Sequence, residues 1–577
     1  MMRPICCCLL AILLAGKLGL PGYAAPAGKK SEDVLLATMQ RELERAQGEL
    51  KKQNPAPYYL AYSVHDQEQA TAVAMQGSLI TSVATRQRRG DVVMRVGSPA
   101  LDNSHQEQRA SAIASTVLPL EEDADAIAHS LWLQTYLEYR KASEAFLAVQ
   151  ARTQVNAAEE DTSPDFSQEK PQVYTDSRAV PPAPDQRSME ELVRADSAML
   201  RKYPYIYQSA AYVIVDRARR HFVSSEGVRL VTSEGVARLM ILAETRADDG
   251  MELLRVETAQ AESVDRLPGP AEMAARIEKM AQDLKALREA PVAEPFTGPS
   301  LLSGSAAAVF FHEVLGHRLE GQRQRGENQG QTFTKRVGQA ILPEFLSVTD
   351  DPTRSVLNGT GLSGSYTFDD EGVPAAKVDL VVDGVLKNFL MARTPIKGFS
   401  NSNGHGRGAP GNMPVGRQGN LIVTSSRTVS EAELRQRLIE EIKKQGKPYG
   451  LYFADVQGGF TLTERGSPQL FQVLPIMVWR VYPDGRPDEL VRGIDLVGTP
   501  LTVLEHILLT GDKQVVFNGE CGAESGSVPV SAAAPAMLVS GIEVQKRAHG
   551  LDRPPILPPP DFDIDIRNAT LTTGERP

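Results

Sequence analysis

The sequence predicts an α+β fold, in which an N-terminal mixed α+β domain precedes a C-terminal domain rich in antiparallel sheet. Helical and strand-like segments come in runs, without the regular strand–helix–strand alternation that indicates a parallel sheet. Two turn signals, Asp383-Gly384 and Pro483-Asp484-Gly485, are typical of antiparallel hairpins. At 577 residues the chain is long enough for two or more domains. We therefore expect the N-terminal domain at residues 30–290 and the C-terminal domain at 291–552.

The first 25 residues have the composition of an export signal. Arg3 supplies a positive charge, residues 5–15 are apolar, and small residues near Ala25 fit a cleavage pattern. Lys17 interrupts the apolar run, which is too short to cross a bilayer. We therefore expect a signal peptide at 1–25, an exported protein that is periplasmic or secreted, and no membrane span.

Export would leave one cysteine and an acidic chain. Cys6, Cys7 and Cys8 lie in the leader, so only Cys521 would remain and no internal disulfide could form. Loss of two basic leader residues would change the formal net charge from −10 to −12, and the chain has no basic block. These features argue against nucleic acid as a partner.

The N-terminal half combines segments of helical periodicity with segments of strand-like composition. Ser188 and Glu191 have the spacing of a capping box, which indicates the start of a helix. In chain order we predict a helix at 31–52, strands within 57–97, a helix at 124–152, a surface crossing at 156–187, the helix from Ser188, strands at 210–215 and 236–245, a helix at 272–289 and a domain junction at 290–304.

The C-terminal half is predicted to be mostly strand and loop, with one clear helix. Ser430 and Glu433 form a second capping box, and Gly446 indicates the end of that helix. The tail at 553–577 is rich in proline, and we expect it to lie over the surface.

The stretch FFHEVLGHRLEG, residues 311–322, carries the main candidate chemistry. His312 and His317 are five positions apart, which places them about 140° apart around a regular α-helix. They could share one ion only if the helix widens to an i→i+5 turn or breaks at Gly316. The motif therefore predicts either a metal site with distorted backbone or two hydrogen-bonded histidines in a buried helix.

A catalytic zinc site needs a third protein ligand and a proton acceptor. Cys521 is the natural third ligand, because a lone thiol in an exported protein needs a reason to be present. Catalytic zinc sites combine three protein ligands with a position for water. Glu313, beside the first ligand, is placed to take a proton from that water. The alternative for Cys521 is an inert, buried thiol.

Four motifs together resemble the TldD/PmbA metallopeptidase family: HEVLGHRLEG, Asp369-Asp370-Glu371-Gly372, SNGHGR at 402–407 and CGAESGSVPVS at 521–531. The resemblance implies a TldD/PmbA-like fold and a zinc-dependent peptidase. Its metal ligands would match His312, His317 and Cys521, with Glu313 as the catalytic acid and base.

The branch of the family can be inferred from the same residues. TldD-like members keep the H-E-x-x-x-H motif and the cysteine, whereas the PmbA-like partner subunits lack them, so this chain resembles the catalytic branch. The resemblance also implies a homodimer or a heterodimer with a paralogous subunit. Arg318 and Gln322 depart from the pattern, since many relatives have a small residue and an acid there.

Five further residues are candidates for substrate binding. Asp369, Asp370 and Glu371 could bind a peptide amino terminus or a second cation, or could form a turn that bonds to its own backbone. His405 and Arg407 could line the cleft, and His405 could add a ligand. A loop histidine more often bonds to solvent or backbone, and three ligands already complete a catalytic zinc site.

The favoured function is a zinc-dependent peptidase that hydrolyses flexible or unfolded peptides. An extended peptide could pair with an exposed strand edge in the second half of the chain. Two alternatives remain: a non-catalytic peptide-binding subunit of a peptidase complex, and a thiol hydrolase in which Cys521 is the nucleophile and His405 or His317 the base.

Overall fold

The computed structural model describes residues 33–105, 113–153, 161–177, 180–325, 329–465, 470–498, 500–548, 550, 552–557 and 560. Its α-helices are α1 (Val34–Leu50), α2 (Ala124–Thr153), α3 (Gln186–Ala198), α4 (Pro270–Glu289), α5 (Gly304–Val314), α6 (Glu431–Lys444) and α7 (Pro500–Glu505). Short 3-10 helices cover Met199–Lys202, Val264–Arg266, Gly316–Leu319 and Gly321–Gln324. In these ranges no helix combines the length and the apolar composition that crossing a membrane requires.

The N-terminal sheet has eight strands in the described residues, and nearly all of its pairs are antiparallel. The strands are β1 (Pro57–Met75), β2 (Ser78–Ser98), β3 (Leu101–Asp102), β4 (Ala114–Leu118), β5 (Val173–Thr175), β6 (Gln208–Ser224), β7 (Arg229–Arg246) and β8 (Glu252–Ala261). Their order is β3-β2-β1-β6-β7-β5, with β4 beside β2 and β8 beside β7. Helices α1 and α2 cover β1 and β2 through one apolar cluster, and α3 and α4 cover β6 and β7 through another.

The C-terminal half is built on a mixed, mainly antiparallel sheet of twelve strands in the described residues. The strands of this half are β9 (Phe296–Leu302), β10 (Leu346–Asp350), β11 (Val356–Leu357), β12 (Thr360–Gly361), β13 (Val378–Val382), β14 (Val385–Leu386), β15 (Gly406–Arg407), β16 (Val415–Gly416), β17 (Asn420–Ser425), β18 (Thr428–Val429), β19 (Gly450–Thr461), β20 (Phe471–Val481), β21 (Glu489–Val491), β22 (Ile494–Gly498), β23 (Ile507–Ala523) and β24 (Gly526–Lys546). Two short hairpins, β11–β12 and β15–β16, lie outside the large sheet.

Helix α5 lies in the centre of the C-terminal half. It packs against β19, β23 and β24, and every residue except Ser305 is buried. A helix this short and apolar on all sides is stabilised by the sheets around it rather than by its own propensity. The C-terminal core therefore fixes where the two histidines of the sequence motif can lie.

The predicted α+β class with antiparallel sheets is confirmed. Both turn signals form hairpins, with Asp383 and Gly384 at φ 47° and 76° and Gly485 at φ 84°. The Ser430 side chain accepts a hydrogen bond from Glu433 N at 3.3 Å, so the predicted cap of α6 is also correct. The predicted signal peptide lies outside the described residues, as does most of the tail.

Two predictions for the N-terminal half are wrong. Helix α3 begins before Ser188, because the Asp185 side chain accepts from the backbone N–H of residues 187 and 188 and is the actual cap. Residues 165–167, predicted to lie on the surface, are buried. The Phe166 ring is covered by the guanidinium groups of Arg95 and Arg393, 3.9 and 3.8 Å from its centroid. Local composition could not indicate this, because the two arginines come from distant parts of the chain.

Candidate metal centre

The backbone leaves the α-helix between the two histidines of the motif. Helix α5 ends at Val314, and residues 316–319 continue as a 3-10 turn. Gly316 permits this close packing, because a Cβ atom at this position would lie 1.9 Å from Gln418 Oε1. Of the two distortions that the spacing allowed, the structure has the break at Gly316 rather than an i→i+5 turn.

The break brings three candidate ligands together. His312 Nε2 lies 3.3 Å from Cys521 Sγ, and His317 Nε2 lies 3.4 Å from the same sulfur. All three ligand atoms lie within 4.8 Å of one another, and all three residues are buried. The three ligands predicted from the sequence therefore converge around one point.

The donor set fits a zinc ion. Two imidazoles and a thiolate are among the ligands that zinc prefers, and zinc bond lengths place nitrogen and sulfur ligands roughly 3.6 Å apart in a tetrahedron. The measured separations of 3.3 and 3.4 Å are close to that value. The described residues thus contain a His/His/Cys group that could hold a metal.

Glu313 lies beside this group with one acceptor atom unused. Its Oε2 atom is 3.8 Å from His317 Nε2 and is buried, with no hydrogen-bond partner among the described residues. Gly459 leaves room for the side chain, since a Cβ there would lie 2.7 Å from Glu313 Cγ. A buried carboxylate oxygen without a partner is costly, so it is typical of a functional site.

A second layer of charged side chains holds the ligands in place. The carboxylate of Glu320, which is fully buried, accepts at 3.0 Å from His317 Nδ1 and at 2.7 Å from Arg323 Nε. Arg417 lies 3.6 Å from the same carboxylate and donates to the carbonyl oxygen of Cys521 at 2.6 Å. A continuous chain of polar contacts therefore connects His317 to Cys521, and a carboxylate that orients a ligand histidine is a common feature of metal sites.

The charges of the group are mutually dependent. Burial opposes ionisation of the Cys521 thiol, but the His317 and His312 imidazoles outweigh it and lower the pKa of Cys521 well below its usual value. Burial also opposes charge on His317, yet Cys521 and Glu320 raise the pKa of His317 well above its usual value. Burial would raise the pKa of Glu320, but His317 and Arg323 lower it to about 2. The site thus favours thiolate, the form of cysteine that binds metals.

The metal group opens onto a cavity of about 2100 Å³ between the two halves of the protein. His312, Glu313, His317 and Cys521 all line it. Other walls come from β8 in the N-terminal sheet and from β19 and β23, whose lining residues are 256–258, 455–461 and 517–523. A ligand of peptide size can therefore reach the metal group.

Arg318 and Gln322, the two departures from the family pattern, both have definite contacts. Arg318 is buried and donates to the carbonyl oxygens of Glu313 and Val314 at 3.0 and 3.2 Å, and to Thr461 Oγ1 at 2.8 Å. Burial and the nearby Arg323 lower the pKa of Arg318 to about 10. Arg318 thus joins the end of α5 to β19.

Gln322 donates to Glu524 Oε1 at 3.3 Å and, more weakly, to Glu320 Oε2 at 3.5 Å. It therefore lies against the carboxylate that orients His317, with an amide where many relatives have an acid.

The five residues predicted to bind substrate lie elsewhere. None of them lines the cavity. Asp369 accepts from the backbone N–H of Glu371, Val373 and Gly406, which is the self-bonded turn that the sequence left open. His405 is fully buried between Asp350 and Asn403 and is not part of the metal group. The Arg407 guanidinium donates to Gln418 O. Their role in substrate binding stays a prediction.

Two residues of the site were not found from the sequence. Glu320 had a usable signal, because it lies three positions after His317 in the same motif and would face it on a tight turn. Arg417 had none, since its contacts with Glu320 and Cys521 span distant parts of the chain. Both contact candidate ligands: Glu320 bonds to His317, and Arg417 donates to the carbonyl oxygen of Cys521.

The chain resembles known proteins mainly over its C-terminal half. Residues 297–546 match the family described as the PmbA/TldA metallopeptidase C-terminal domain. A metalloprotease of Archaeoglobus fulgidus is 29% identical over 240 residues, which cover 41% of this chain and 51% of that protein. A zinc metalloprotease TldD homolog of Saccharolobus solfataricus is 22% identical over 367 residues, covering 62% of this chain and 76% of that protein. For most of the curated relatives it matches, the chain spans about half of their length.

The fold is also similar to a solved structure over nearly its whole length. The crystal structure of TldE from Thermococcus kodakarensis aligns with a TM-score of 0.56 at 15% identity. The alignment covers 88% of this chain and 100% of that one. At this identity the likeness concerns the fold alone, and it extends the similarity into the N-terminal half.

Proposed function

Because the chain belongs to the TldD/PmbA metallopeptidase family, we propose that it is a zinc-dependent peptidase that hydrolyses flexible or unfolded peptides. One observation carries the proposal. An unpartnered carboxylate oxygen, Glu313 Oε2, lies 3.8 Å from the ligand atom His317 Nε2 at the wall of a large cavity. A proton acceptor, a metal-binding group and room for a substrate are thus combined in one place.

In this proposal His312, His317 and Cys521 hold the zinc ion. When bound, zinc supplies Lewis acidity, which polarises the scissile carbonyl and lowers the pKa of water. Glu313 accepts a proton from the attacking water and delivers it to the leaving amine nitrogen. Glu320 holds His317 in the orientation that directs Nε2 toward the metal, because it accepts a hydrogen bond from Nδ1.

Two strand edges at the cavity support a preference for flexible peptides. In the described residues, β19 from Asp455 to Thr461 pairs with β20 alone, and β23 from Gln514 to Ala523 pairs with β24 alone. Each strand therefore has an edge that an extended peptide could join through backbone hydrogen bonds. In a folded protein most extended segments already have their backbone groups paired, so flexible chains are the favoured substrates.

Metal analysis and cleavage, measured on one purified sample, test the proposal. We expect about one zinc per chain, cleavage of an unfolded peptide, loss of cleavage with a chelator and its return with added zinc. Cleavage that persists without metal would contradict the proposal. Binding of peptides without cleavage at full zinc occupancy would favour the non-catalytic subunit.

The thiol hydrolase remains the second candidate, on one specific observation. Cys521 Sγ, His317 and Glu320 form a nucleophile–base–carboxylate series with separations of 3.4 and 3.0 Å. Such an enzyme would retain activity with a chelator, would be inactivated by alkylation of Cys521 and would tolerate Glu313→Gln. The metallopeptidase should instead lose activity with a chelator and in the Glu313→Gln variant. His405, the other predicted base, is bonded to Asp350 rather than to Cys521.

We further propose that the protein is exported and acts as a homodimer or as a heterodimer with a paralogous subunit. The resemblance of the sequence motifs to the TldD/PmbA family supports the dimer, and the composition of residues 1–25 supports export. Amino-terminal sequencing of the protein from its own cell should find a start near Pro26 or Gly28. Light scattering of the purified protein should give a mass of two chains, alone or after addition of the paralogue.

A further inference from the structure

Strand β19 runs alongside helix α5 from the beginning of the helix to its end. At the beginning, Ser303 N donates to Phe453 O at 2.9 Å. At the end, Gly459 lies against Glu313, as the 2.7 Å approach of a Cβ atom to Glu313 Cγ indicates. The residues of β19 between these points therefore lie beside the middle of the helix.

Strand β23 follows the helix in the same direction. A Cβ on Gly304 would lie 2.6 Å from Val515, whereas Cys521 lies at the other end beside His312. Side chains two apart on a strand share a face, so Phe517 and Cys521 face the same way, about 13 Å apart along β23. Phe517, two residues after Val515, thus lies beside the first half of α5, between the contact at Gly304 and the metal group.

The cavity lining before the metal group includes an apolar patch, which polar residues such as Glu257, Asp455 and Gln457 border. Val309 is one helical turn before His312 and Glu313 and lines the cavity with them. Val309 and Val456 belong to one apolar core, and Phe517 packs against that core. Five apolar residues besides Val309 complete this patch: Val456, Ile476, Phe517, Val530 and Ala532.

The cavity wall beyond the metal group is charged. There the lining residues include Arg323, Glu464 and Glu524, and Arg323 pairs with Glu524 at 3.1 Å. The apolar patch and this charged wall therefore differ in polarity.

We propose that the wall between Val309 and Phe517 is a subsite for an apolar side chain of the substrate. The inference rests on the proposed peptidase function and narrows its substrates to peptides with an apolar residue within about four positions of the cleaved bond, on one fixed side. The occupant is apolar because Val309 and Phe517, and the aliphatic side chains around them, have no side-chain groups that donate or accept hydrogen bonds. A polar side chain placed there would lose its contacts with water without replacement.

Peptides that differ at one position test the preference. The probe is a flexible peptide of glycine, serine and one leucine, and its matched control has asparagine in place of leucine. Burial of a leucine side chain predicts a kcat/KM at least ~10-fold higher for the leucine peptide. Mass spectrometry of the products should place every cut on the same side of the leucine.

Variants of Phe517 test whether this wall causes the preference for the leucine peptide. Phe517→Ser should remove most of the advantage of the leucine peptide and leave zinc content unchanged, whereas Phe517→Leu should retain it. Val515→Ser is the matched control, because Val515 lies two residues earlier on the same strand and outside the cavity lining. Peptide binding to the metal-free Glu313→Gln protein, measured by fluorescence anisotropy, should show the same preference without catalysis.

The outcomes distinguish failure of the apolar subsite from failure of the proposed peptidase function. Equal cleavage of both peptides by the wild-type protein would overturn the subsite but retain the peptidase. A preference that survives in folded Phe517→Ser would overturn its assignment to this wall. If Phe517→Ser does not fold, the comparison of Phe517→Leu with Phe517→Ala, using the two peptides, decides the same question. No cleavage of either peptide at full zinc occupancy would overturn the proposed function itself.

Discussion

The metal group at the end of α5 and the acidic turn at Asp369 both contain buried carboxylates, but the partners of these carboxylates differ. In the turn, Asp369 accepts three backbone hydrogen bonds, and Glu371 Oε2 accepts from Arg393 N at 2.6 Å. At the metal group, Glu313 Oε2 has no hydrogen-bond partner in the described residues and lines a cavity.

The presence or absence of these hydrogen bonds distinguishes a structural group of carboxylates from a reactive one. Hydrogen bonds to the backbone compensate the desolvation of a buried carboxylate and fix the loop that carries it. A carboxylate without such bonds retains its capacity to accept a proton or bind a ligand. We therefore expect substitutions at the metal group to change metal binding or catalysis, and substitutions in the turn to change stability.

Glu313→Gln should have the largest effect of all. Cleavage should fall about 10²- to 10⁴-fold, the usual contribution of a general base, while zinc stays bound because Glu313 is not a ligand. Zinc content by mass spectrometry and cleavage rate on the same sample check both parts. Loss of zinc in this variant would assign Glu313 a different role.

Cys521→Ser should weaken zinc binding by more than the ~10- to 100-fold typical of residues outside the ligand set. A neutral hydroxyl is a poorer zinc ligand than a thiolate. Competition with a chelator of known affinity measures the change. Unaltered zinc affinity would remove Cys521 from the ligand set.

Glu320→Gln should lower zinc affinity by roughly 10- to 100-fold. It should also lower the thermal stability of the metal-free protein, because the buried Arg323 guanidinium loses its counter-charge. The amide keeps the shape of the side chain but is a weaker acceptor for His317 Nδ1. Glu524→Gln is the matched control, since Glu524 accepts from Arg323 and Gln322, which are outside the candidate ligand set. Equal zinc affinities in the two variants would refute the orienting role.

Glu371→Gln should change the pH dependence of stability and not metal binding. Burial raises the pKa of Glu371 above its ordinary value of 4.5, so the folded state favours the protonated carboxyl. The free energy of unfolding of the wild-type protein therefore declines as pH rises from about 4.5 through the raised pKa. Urea unfolding between pH 4 and 8 should show a smaller decline in the variant.

Asp370→Asn should have the smallest effect, about 1 kcal/mol or less in stability. The Asp370 side chain is partly exposed and pairs with Arg220 at 3.1 Å. Zinc content and the KM for peptides should not change. A large increase in KM would instead support the predicted role of this turn in substrate binding.

Local patterns were sufficient for much of the fold. The Asp-Gly hairpins, the Ser430 cap and the long helices follow from backbone preferences of neighbouring residues, and these were predicted correctly. Local patterns failed in two places. Asp185, three residues earlier, caps the helix instead of Ser188, so two neighbouring cap candidates were not distinguished. Arginines from two distant parts of the chain bury Phe166.

By itself the sequence determined the candidate ligands and the condition under which they could meet. Five-residue spacing requires a distorted helix, and Gly316 was the residue able to provide it. Only the tertiary structure decided that the helix ends there. Gln418, about a hundred positions away, fills the space that a Cβ at Gly316 would need and donates to the carbonyl oxygen of His312 at 3.4 Å. Only the tertiary structure separated Glu313 from the Asp369 turn, because the hydrogen-bond partners of a buried carboxylate depend on segments that meet through folding.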